Sequence, residues 1–240
     1  MTMIAAVAKA AAKRFPELDA LRGIAVLLMI AYHIGFDLQY FYGFNLGIDS
    51  PTATFFAHTV ATVFLLLVGI GFVISWHRTD PQQHWIKVIR RALAIGCGAA
   101  AVSLATWLLD PTTFVRFGIL HLIALSTLLQ PFFIGLSVWN VFIGAGLLLL
   151  CWMFDIRWPP ATFMTLDYYP LLPWFGAMLI GMGLGSVAYV PLRSGALKPL
   201  AQIPYPRWLL WTGRKAFPLY LVHQPIIIVV LAFLLGLWAD

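Results

Sequence analysis

The chain has 240 residues, of which 62% are hydrophobic and only 10% are charged, and its mean hydropathy is +0.90. Several apolar runs approach the roughly 20 residues that cross a hydrocarbon core, which excludes an ordinary water-soluble protein and predicts a multi-pass membrane protein. The 15 Lys and Arg residues outnumber the 9 Asp and Glu residues, but they are scattered at the ends of apolar runs. This scatter indicates membrane topology and not nucleic-acid binding.

Apolar runs bounded by Pro, Gly and charged residues predict an all-α transmembrane bundle of seven helices. The predicted helices are residues 18–41, 53–76, 88–109, 116–136, 138–154, 168–190 and 208–237. The basic loops at 77–91 and 191–208 predict a cytoplasmic N-terminus and a C-terminus outside. We expect residues 1–240 to form one domain in the cell (inner) membrane, since no repeat, low-complexity tract or long soluble loop divides them.

The first predicted helix, LDALRGIAVLLMIAYHIGFDLQYF, carries ionisable side chains inside an apolar span. Such groups cost about 2.5 to 3.5 kcal/mol each near the centre of a membrane helix, so they usually face protein or a water-filled cavity. At about 100° per residue, one helix face holds all four of them: Asp19, Arg22, His33 and Asp37. A rise of about 1.5 Å per residue places His33 about 18 Å from Leu21, in the outer half of the bilayer.

The spacing of His33 and Asp37, one helical turn, indicates a catalytic pair. The carboxylate can approach one ring nitrogen and fix the tautomer, which leaves the other nitrogen to take a proton. This arrangement needs no serine if the substrate supplies the hydroxyl or amine nucleophile. The structural alternative is that the two side chains only satisfy each other, or that Asp37 lies among the lipid headgroups.

Three further histidines in predicted helices are weaker candidates for the same site: His58, His121 and His223. His58 lies at a depth close to that of His33, but its side chain could equally reach the interface. His121 and His223 lie in apolar helices, where a lone histidine is more often a hydrogen-bonded structural residue. We predict no metal site, because only His33 and Asp37 share a helix face at ligand spacing.

Basic residues occur at the predicted cytoplasmic ends of three helices: Arg22, Arg90, Arg91, Arg214 and Lys215. Membrane topology alone would produce this set, and an anionic, phosphate-bearing donor would also need it. We predict that the donor is bound by three of them, namely Arg22, Arg91 and Arg214. Of these, Arg22 continues the stripe of His33.

A late segment, YYPLLPWFGAMLIGMGLG, is rich in glycine. In membrane helices, small residues let two backbones approach each other closely. We therefore expect Gly176, Gly181 and Gly185 to serve helix packing.

Several motifs, in order, resemble those of a known family. The segment ELDALRGIAVLLMIAYH resembles the opening helix of the transmembrane acyltransferases, in which LDxLRGIA is followed by a histidine. The further motifs are FLLLVGIGF, RFGILHLIALS, DYYPLLPWFGAMLIGMGLG and GRKAFPLYLVHQP. Over nearly its whole length the chain is similar to bacterial members of the heparan-alpha-glucosaminide N-acetyltransferase catalytic-domain family.

The resemblance implies a helical membrane protein that takes an acyl group from cytoplasmic acyl-CoA and passes it to a glycan or similar acceptor. It supports His33 as the catalytic histidine of the first-helix motif and Arg22 as the arginine of its RG pair. The lysosomal enzyme is similar here but has an asparagine where His33 stands. An acyl-histidine intermediate and direct transfer therefore both stay open.

These observations predict an integral membrane acyltransferase whose donor is acetyl-CoA or another acyl-CoA. Its predicted partners are a glycan or amino-sugar acceptor and membrane lipid, while a homodimer and a monomer stay open. A proton-coupled transporter would also place His and Asp along a membrane stripe, but the chain shows neither paired repeats nor two matching broken helices. A non-enzymatic membrane subunit would need no polar stripe.

Overall fold

The structure is a computed structural model that describes residues 14–161, 164–190, 200 and 202–236. It confirms the all-α prediction, since 78% of it is helical and its described residues contain no strand. The described α-helices are α1 Pro16–Tyr42, α2 Pro51–His77, α3 His84–Leu109, α4 Ile119–Leu129, α5 Trp139–Met153, α6 Leu171–Ala188, α7 Arg207–Arg214 and α8 Ala216–Gly236.

Within the described residues, six helical segments are long and apolar enough to cross a membrane. They contain α1, α2, α3, α4, α6 and α8. The remaining predicted span is α5, whose 15 residues cover about 22 Å of a hydrocarbon core that is about 30 Å thick. The orientation of the two termini stays a prediction, because six spans would leave both on one side and seven would separate them.

Two predicted helices are interrupted, and prolines explain both interruptions. The predicted helix 208–237 is divided at Lys215 into α7 and α8. Pro218 has no N–H for the Arg214 carbonyl and its ring crowds that oxygen, which favours a break in the helix at this point. The predicted helix 116–136 begins at Ile119 and changes at Gln130 into a 3₁₀ helix, Gln130–Leu136, directly before Pro131.

The chain divides into two compact units. The first unit is Met1–Phe64 with Lys198–Asp240, and the second unit is Leu65–Leu197. Helix α2 belongs to both, because it continues from the first unit into the second after Phe64. That the two units function as one domain stays a prediction.

In the first unit, α1 and α7 cross with their backbones in close approach. A Cβ atom at Gly213 would overlap the Asp19 carbonyl, and one at Gly23 would overlap the Leu209 carbonyl. Only glycine at both positions permits this crossing, which places the basic end of α7 beside the first turns of α1. Helix α8 also packs against α1.

In the second unit, α6 is the central helix, and its side chains Met178, Leu179 and Met182 are almost completely buried. Its glycines lie against neighbouring backbones, since a Cβ atom at Gly181 would overlap the Leu66 carbonyl of α2 and one at Gly176 would approach the Gly144 carbonyl of α5. The predicted packing role of these glycines is confirmed.

The α1–α7 crossing predicts that two Gly→Ala substitutions differ in their effect on the stability of the protein. Gly213→Ala should destabilise the protein by about 1 to 3 kcal/mol, because the added methyl group overlaps the Asp19 carbonyl. The matched control is Gly146→Ala in α5, where a Cβ atom meets no neighbour within 4 Å. The control should be neutral or slightly stabilising, because alanine favours a helix by about 1 kcal/mol over glycine. Thermal unfolding in detergent compares them, and equal midpoints would contradict the crossing.

Candidate active site

The ionisable stripe of α1 meets α8 in the first unit. The rings of His33 and His223 lie edge to face, with their centroids 4.8 Å apart and an interplanar angle of 83°. One turn further along α1, Asp37 is fully buried and accepts hydrogen bonds from Gln224 Nε2 at 2.7 and 2.9 Å. We call His33, Asp37, His223 and Gln224 the two-histidine cluster.

The hydrogen bond of the His33 ring defines which of its nitrogens can act as a base. Nδ1 lies 2.8 Å from the Met29 carbonyl oxygen. A carbonyl oxygen only accepts hydrogen bonds, so Nδ1 carries the proton and donates it, and Nε2 keeps its lone pair. Neutral His33 therefore presents Nε2 as its basic atom.

The sequence predicted that Asp37 would orient this ring, and the structure gives a different partner. In the part of the chain that the structure describes, the hydrogen bonds of the Asp37 carboxylate come from Gln224, not from His33. Side chains of an α-helix lean toward its N-terminus. The His33 ring consequently reaches the carbonyl of Met29, one turn back, while the Asp37 carboxyl is held by Gln224.

His223 repeats the arrangement of His33 on the second helix. Its Nδ1 lies 2.6 Å from the Tyr220 carbonyl oxygen, so this nitrogen also carries the proton. Its Nε2 and the Oε1 atom of Gln224 are buried and accept no hydrogen bond within the described residues. A buried acceptor of this kind costs about 1 to 3 kcal/mol unless a further donor satisfies it.

The other two predicted histidines have different positions. His58 lies on an exposed part of α2 in the first unit, and its membership of the site stays a prediction. His121 belongs to the second unit and caps the start of α4, since the Gly118 N–H donates to its Nδ1 at 3.3 Å. Its Nε2 lies 3.3 Å from Ser103 Oγ, which itself donates to the Val115 carbonyl. The Nδ1 contact is that of a helix cap, and the Nε2 contact connects α4 with α3.

Arg22 and Arg214 converge on one carboxylate near the start of α1. Arg22 Nη1 donates to Asp19 Oδ1 at 3.3 Å, and Arg214 Nε donates to Asp19 Oδ2 at 3.2 Å. The Asp19 side chain is 10% exposed, whereas those of Arg22 and Arg214 are 26% and 44% exposed. Two guanidinium groups on one carboxylate leave an excess positive charge on the more exposed side chains.

The third predicted donor-binding arginine, Arg91, lies in the second unit. There it lines a cavity of about 20 Å³ together with Lys87, Ser75 and Thr79. This volume holds about one water molecule. The part of Arg91 in donor binding stays a prediction.

Among the described residues, no group of three or more His, Cys, Asp or Glu side chains could hold a metal ion.

Residues 14–225 match the family model described as heparan-alpha-glucosaminide N-acetyltransferase, catalytic. The chain belongs to this family. The match begins before α1 and ends inside α8, so it includes the whole two-histidine cluster, and it confirms the predicted resemblance. No match is found among curated proteins or among solved structures. Family membership and the apolar helices together indicate a multi-pass membrane protein with acetyltransferase activity.

Two polar residues that were not predicted as site residues make hydrogen bonds between distant parts of the chain. Gln224 holds the carboxylate of Asp37, and the only sequence signal for it is the polar pair HQ in an otherwise apolar helix. Asp167, in the loop between α5 and α6, accepts a hydrogen bond from the Ile119 N–H at 3.0 Å and so caps α4 beside His121. Burial raises the pKa of the Asp167 carboxyl to about 6, although the hydrogen bond from Ile119 opposes this rise.

The raised pKa of Asp167 predicts that the protein loses stability as the pH rises from about 4 to about 6. In this window the carboxyl ionises in the unfolded chain, whose pKa is about 3.9, while the folded protein keeps its proton. Asp167→Asn should remove this part of the pH dependence, because an amide does not titrate and its oxygen can still accept from Ile119. Thermal unfolding between pH 4 and pH 7 measures the effect.

The matched control for Asp167→Asn is Asp155→Asn. The Asp155 side chain is 81% exposed, so its removal should leave the pH dependence of the unfolding midpoint as in the unsubstituted protein. If Asp167→Asn and the unsubstituted protein showed the same pH dependence of the unfolding midpoint, Asp167 would be ionised in the folded state throughout this range.

Proposed function

We propose that the protein is an acyl-CoA-dependent membrane acyltransferase that transfers an acetyl group to the hydroxyl or amine of a glycan or amino sugar. The observation that carries this proposal is the state of the His33 ring. Its Nδ1–H is fixed on the Met29 carbonyl, its Nε2 is basic, and a buried carboxylate lies one turn away. The family of the chain supports the reaction type.

His33 acts as the general base of the transfer. Its Nε2 takes the proton of the acceptor O–H or N–H as the acceptor oxygen or nitrogen attacks the thioester carbonyl. The new acyl bond forms, the carbon–sulfur bond breaks, and the departing thiolate takes the proton from the imidazolium. Proton transfer of this kind contributes about 10²- to 10⁴-fold to a rate.

Asp37 stabilises the positive charge that His33 gains during the attack. Its carboxylate is held by the neutral amide of Gln224 and not by a cation, so its negative charge is available to the imidazolium. The edge contact with His223 limits rotation of the His33 ring. Asp37 and Gln224 are therefore positioning residues, while His33 touches the reacting atoms.

The donor binds with its phosphates at Arg22 and Arg214. Arg22 lies about 16 Å from His33 along α1, counting about 1.5 Å per residue, so the extended pantetheine arm can follow the helix toward the base. Guanidinium groups suit phosphate because they donate in a fixed, bidentate geometry. We place this end of α1 on the cytoplasmic side of the cell membrane and propose Arg91 as a further phosphate ligand.

Substitution of His33 tests the base. His33→Gln should abolish acetyl transfer while acetyl-CoA still binds, because loss of proton transfer removes transition-state stabilisation and leaves ground-state binding. Asp37→Asn should slow turnover strongly without abolishing it, since an amide cannot favour the imidazolium. The measurements are single-turnover transfer of radiolabelled acetyl and thermal stabilisation by acetyl-CoA.

The control for this experiment is His77→Gln. His77 also bonds through Nδ1 to a carbonyl one turn back, that of Val73, at 3.0 Å, but it lies outside the two-histidine cluster. This variant should keep full activity. Normal specific activity in folded His33→Gln would refute the mechanism. Proton-coupled uptake without any stabilisation by acetyl-CoA would favour a transporter.

Substitution of the arginines tests the donor site. Arg22→Ala and Arg214→Ala should each weaken acetyl-CoA binding by about tenfold or more, because a charge-assisted contact to phosphate is lost. Arg22→Lys should restore part of the affinity, since a lysine keeps the charge but not the planar fork. Arg207→Ala, an exposed arginine at the other end of α7, is the control. Equal affinities for CoA in all four variants would assign Arg22 and Arg214 to topology alone.

A further inference from the structure

A basic cavity lies in the second unit, between the end of α2 and the start of α3. Its lining includes Ser75, Thr79, Lys87 and Arg91, and none of the described residues that line it is Asp or Glu. Lys87 and Arg91 stand one turn apart, on the same face of α3. Like charges at this spacing repel each other, so an anion bound between them would offset the repulsion.

The ammonium group of Lys87 is oriented by the last turn of α2. Its Nζ donates to Thr79 Oγ1 at 2.7 Å, and Thr79 Oγ1 donates to the Ser75 carbonyl oxygen at 2.6 Å. An ammonium group has three N–H donors, and this hydrogen bond uses one of them. Arg91 adds a planar guanidinium group to the same cavity, and Ser75 adds a hydroxyl. Cationic donors of this kind form their strongest hydrogen bonds with phosphate and carboxylate oxygens.

One wall of the cavity is held rigidly by His84. Its Nε2 lies 3.0 Å from the carbonyl oxygens of both Trp76 and Thr79. Carbonyl oxygens only accept hydrogen bonds, so Nε2 carries the ring proton and donates it. The His84 ring also packs on the indole of Trp76, with centroids 3.9 Å apart. These contacts fix the end of α2 against the start of α3, so the cationic donors lose little freedom when a ligand binds.

The size of the cavity limits what it can hold. Its volume is about 20 Å³, which is enough for about one water molecule and therefore for one oxygen atom of a phosphate. Phe72 and Val88 line it and are buried, whereas Lys87 is exposed. A phosphate would thus place one oxygen inside the cavity and keep its other oxygens at the exposed mouth, beside Lys87.

The surface of α3 next to the cavity suits the acyl chains of a lipid. Ile86, Ile89 and Leu93 are large apolar side chains that are exposed on this helix. Trp85 packs on Phe132, with ring centroids 5.8 Å apart, and both rings are exposed as well. Tryptophan is enriched where a membrane helix meets the headgroups. The cavity therefore lies at the level of α3 where headgroups would meet acyl chains.

We infer that this cavity binds the phosphate of an anionic phospholipid, with Lys87 and Arg91 on the phosphate oxygens and the acyl chains along the exposed apolar side chains of α3. The inference does not depend on acetyl transfer. The competing source of phosphate is the donor, for which Arg91 was proposed above. The lipid is favoured because an exposed apolar surface continues from the cavity, and the phosphate-bearing end of a nucleotide has no group that would cover it.

The test measures lipid binding to the full chain in dodecyl maltoside by native mass spectrometry. Phosphatidylglycerol should bind at least tenfold more tightly than phosphatidylcholine of the same chain length. Lys87→Gln should weaken phosphatidylglycerol binding about tenfold, because a charge-assisted contact is lost, and leave phosphatidylcholine binding unchanged. Lys87→Arg should keep most of the affinity. The matched control is Arg90→Gln, which removes one positive charge from an exposed position of the same helix that does not line the cavity.

Two results would show that the cavity is not a specific lipid site. Equal affinities of the unsubstituted protein for phosphatidylglycerol and phosphatidylcholine would refute the inference. Equal losses of phosphatidylglycerol affinity in Lys87→Gln and Arg90→Gln would assign the binding to the general positive charge of this end of α3. Thermal unfolding without lipid is the companion measurement. A lower unfolding midpoint of Lys87→Gln with unchanged lipid affinity would show that Lys87 only stabilises the end of α2.

Two further arms separate the sources of phosphate. Glycerophosphoglycerol, the headgroup of phosphatidylglycerol without its acyl chains, should not displace the lipid at equal concentration. Displacement would show a site for soluble phosphate esters and overturn the inference. Acetyl-CoA should stabilise Lys87→Gln as much as it stabilises the unsubstituted protein. Weaker stabilisation by acetyl-CoA, with phosphatidylglycerol binding unchanged, would assign the cavity to the donor.

Discussion

The arrangement of the first unit depends on one buried carboxylate. Asp37 is completely buried within an apolar helix, and a charge in such surroundings is tolerated only when the protein supplies its hydrogen bonds. Gln224 supplies two of them from α8. This pairing sets the contact between α1 and α8, and with it the edge contact of His33 and His223. The proposed base and the carboxyl beside it are thereby placed by the same interaction.

The carboxyl groups at the two ends of the polar stripe on α1 have different kinds of partner. Near the start of α1, the Asp19 carboxylate is paired with two cationic side chains, Arg22 and Arg214. Further along, the Asp37 carboxyl is held by the neutral amide of Gln224. A polyanionic donor suits the first end, and a histidine that becomes positive during reaction suits the second. The separation of these two ends along one helix suits the proposed donor, which would place its phosphates at one end and its thioester at the other.

Periodicity and hydropathy were sufficient to predict the helices and the stripe, because both depend on properties of one segment at a time. The common face of Asp19, His33 and Asp37 follows from the 3.6-residue repeat. The hydrogen-bond partners of these residues do not follow from that repeat. Gln224 lies 187 positions from Asp37 along the chain, and no local pattern connects them. The close approach of Gly213 to α1 likewise depends on tertiary packing. The break between α7 and α8 had a readable cause, Pro218, within a run that hydropathy alone treats as continuous.

The orientation of His33 shows why spacing alone was insufficient at the site. An i, i+4 pair brings two side chains near each other, but a backbone carbonyl one turn earlier competes for the same ring nitrogen. At His33 the carbonyl of Met29 is the partner, and at His223 that of Tyr220. Both rings then carry the proton on Nδ1 and keep a basic Nε2. The Nε2 atom of His223 is buried and accepts no hydrogen bond within the described residues, but Gln130 and Asn140 also carry such atoms. What distinguishes the two histidines is their edge contact one turn from the Asp37 carboxyl, a tertiary arrangement for which the i, i+4 spacing within α1 supplies only one of the two helices.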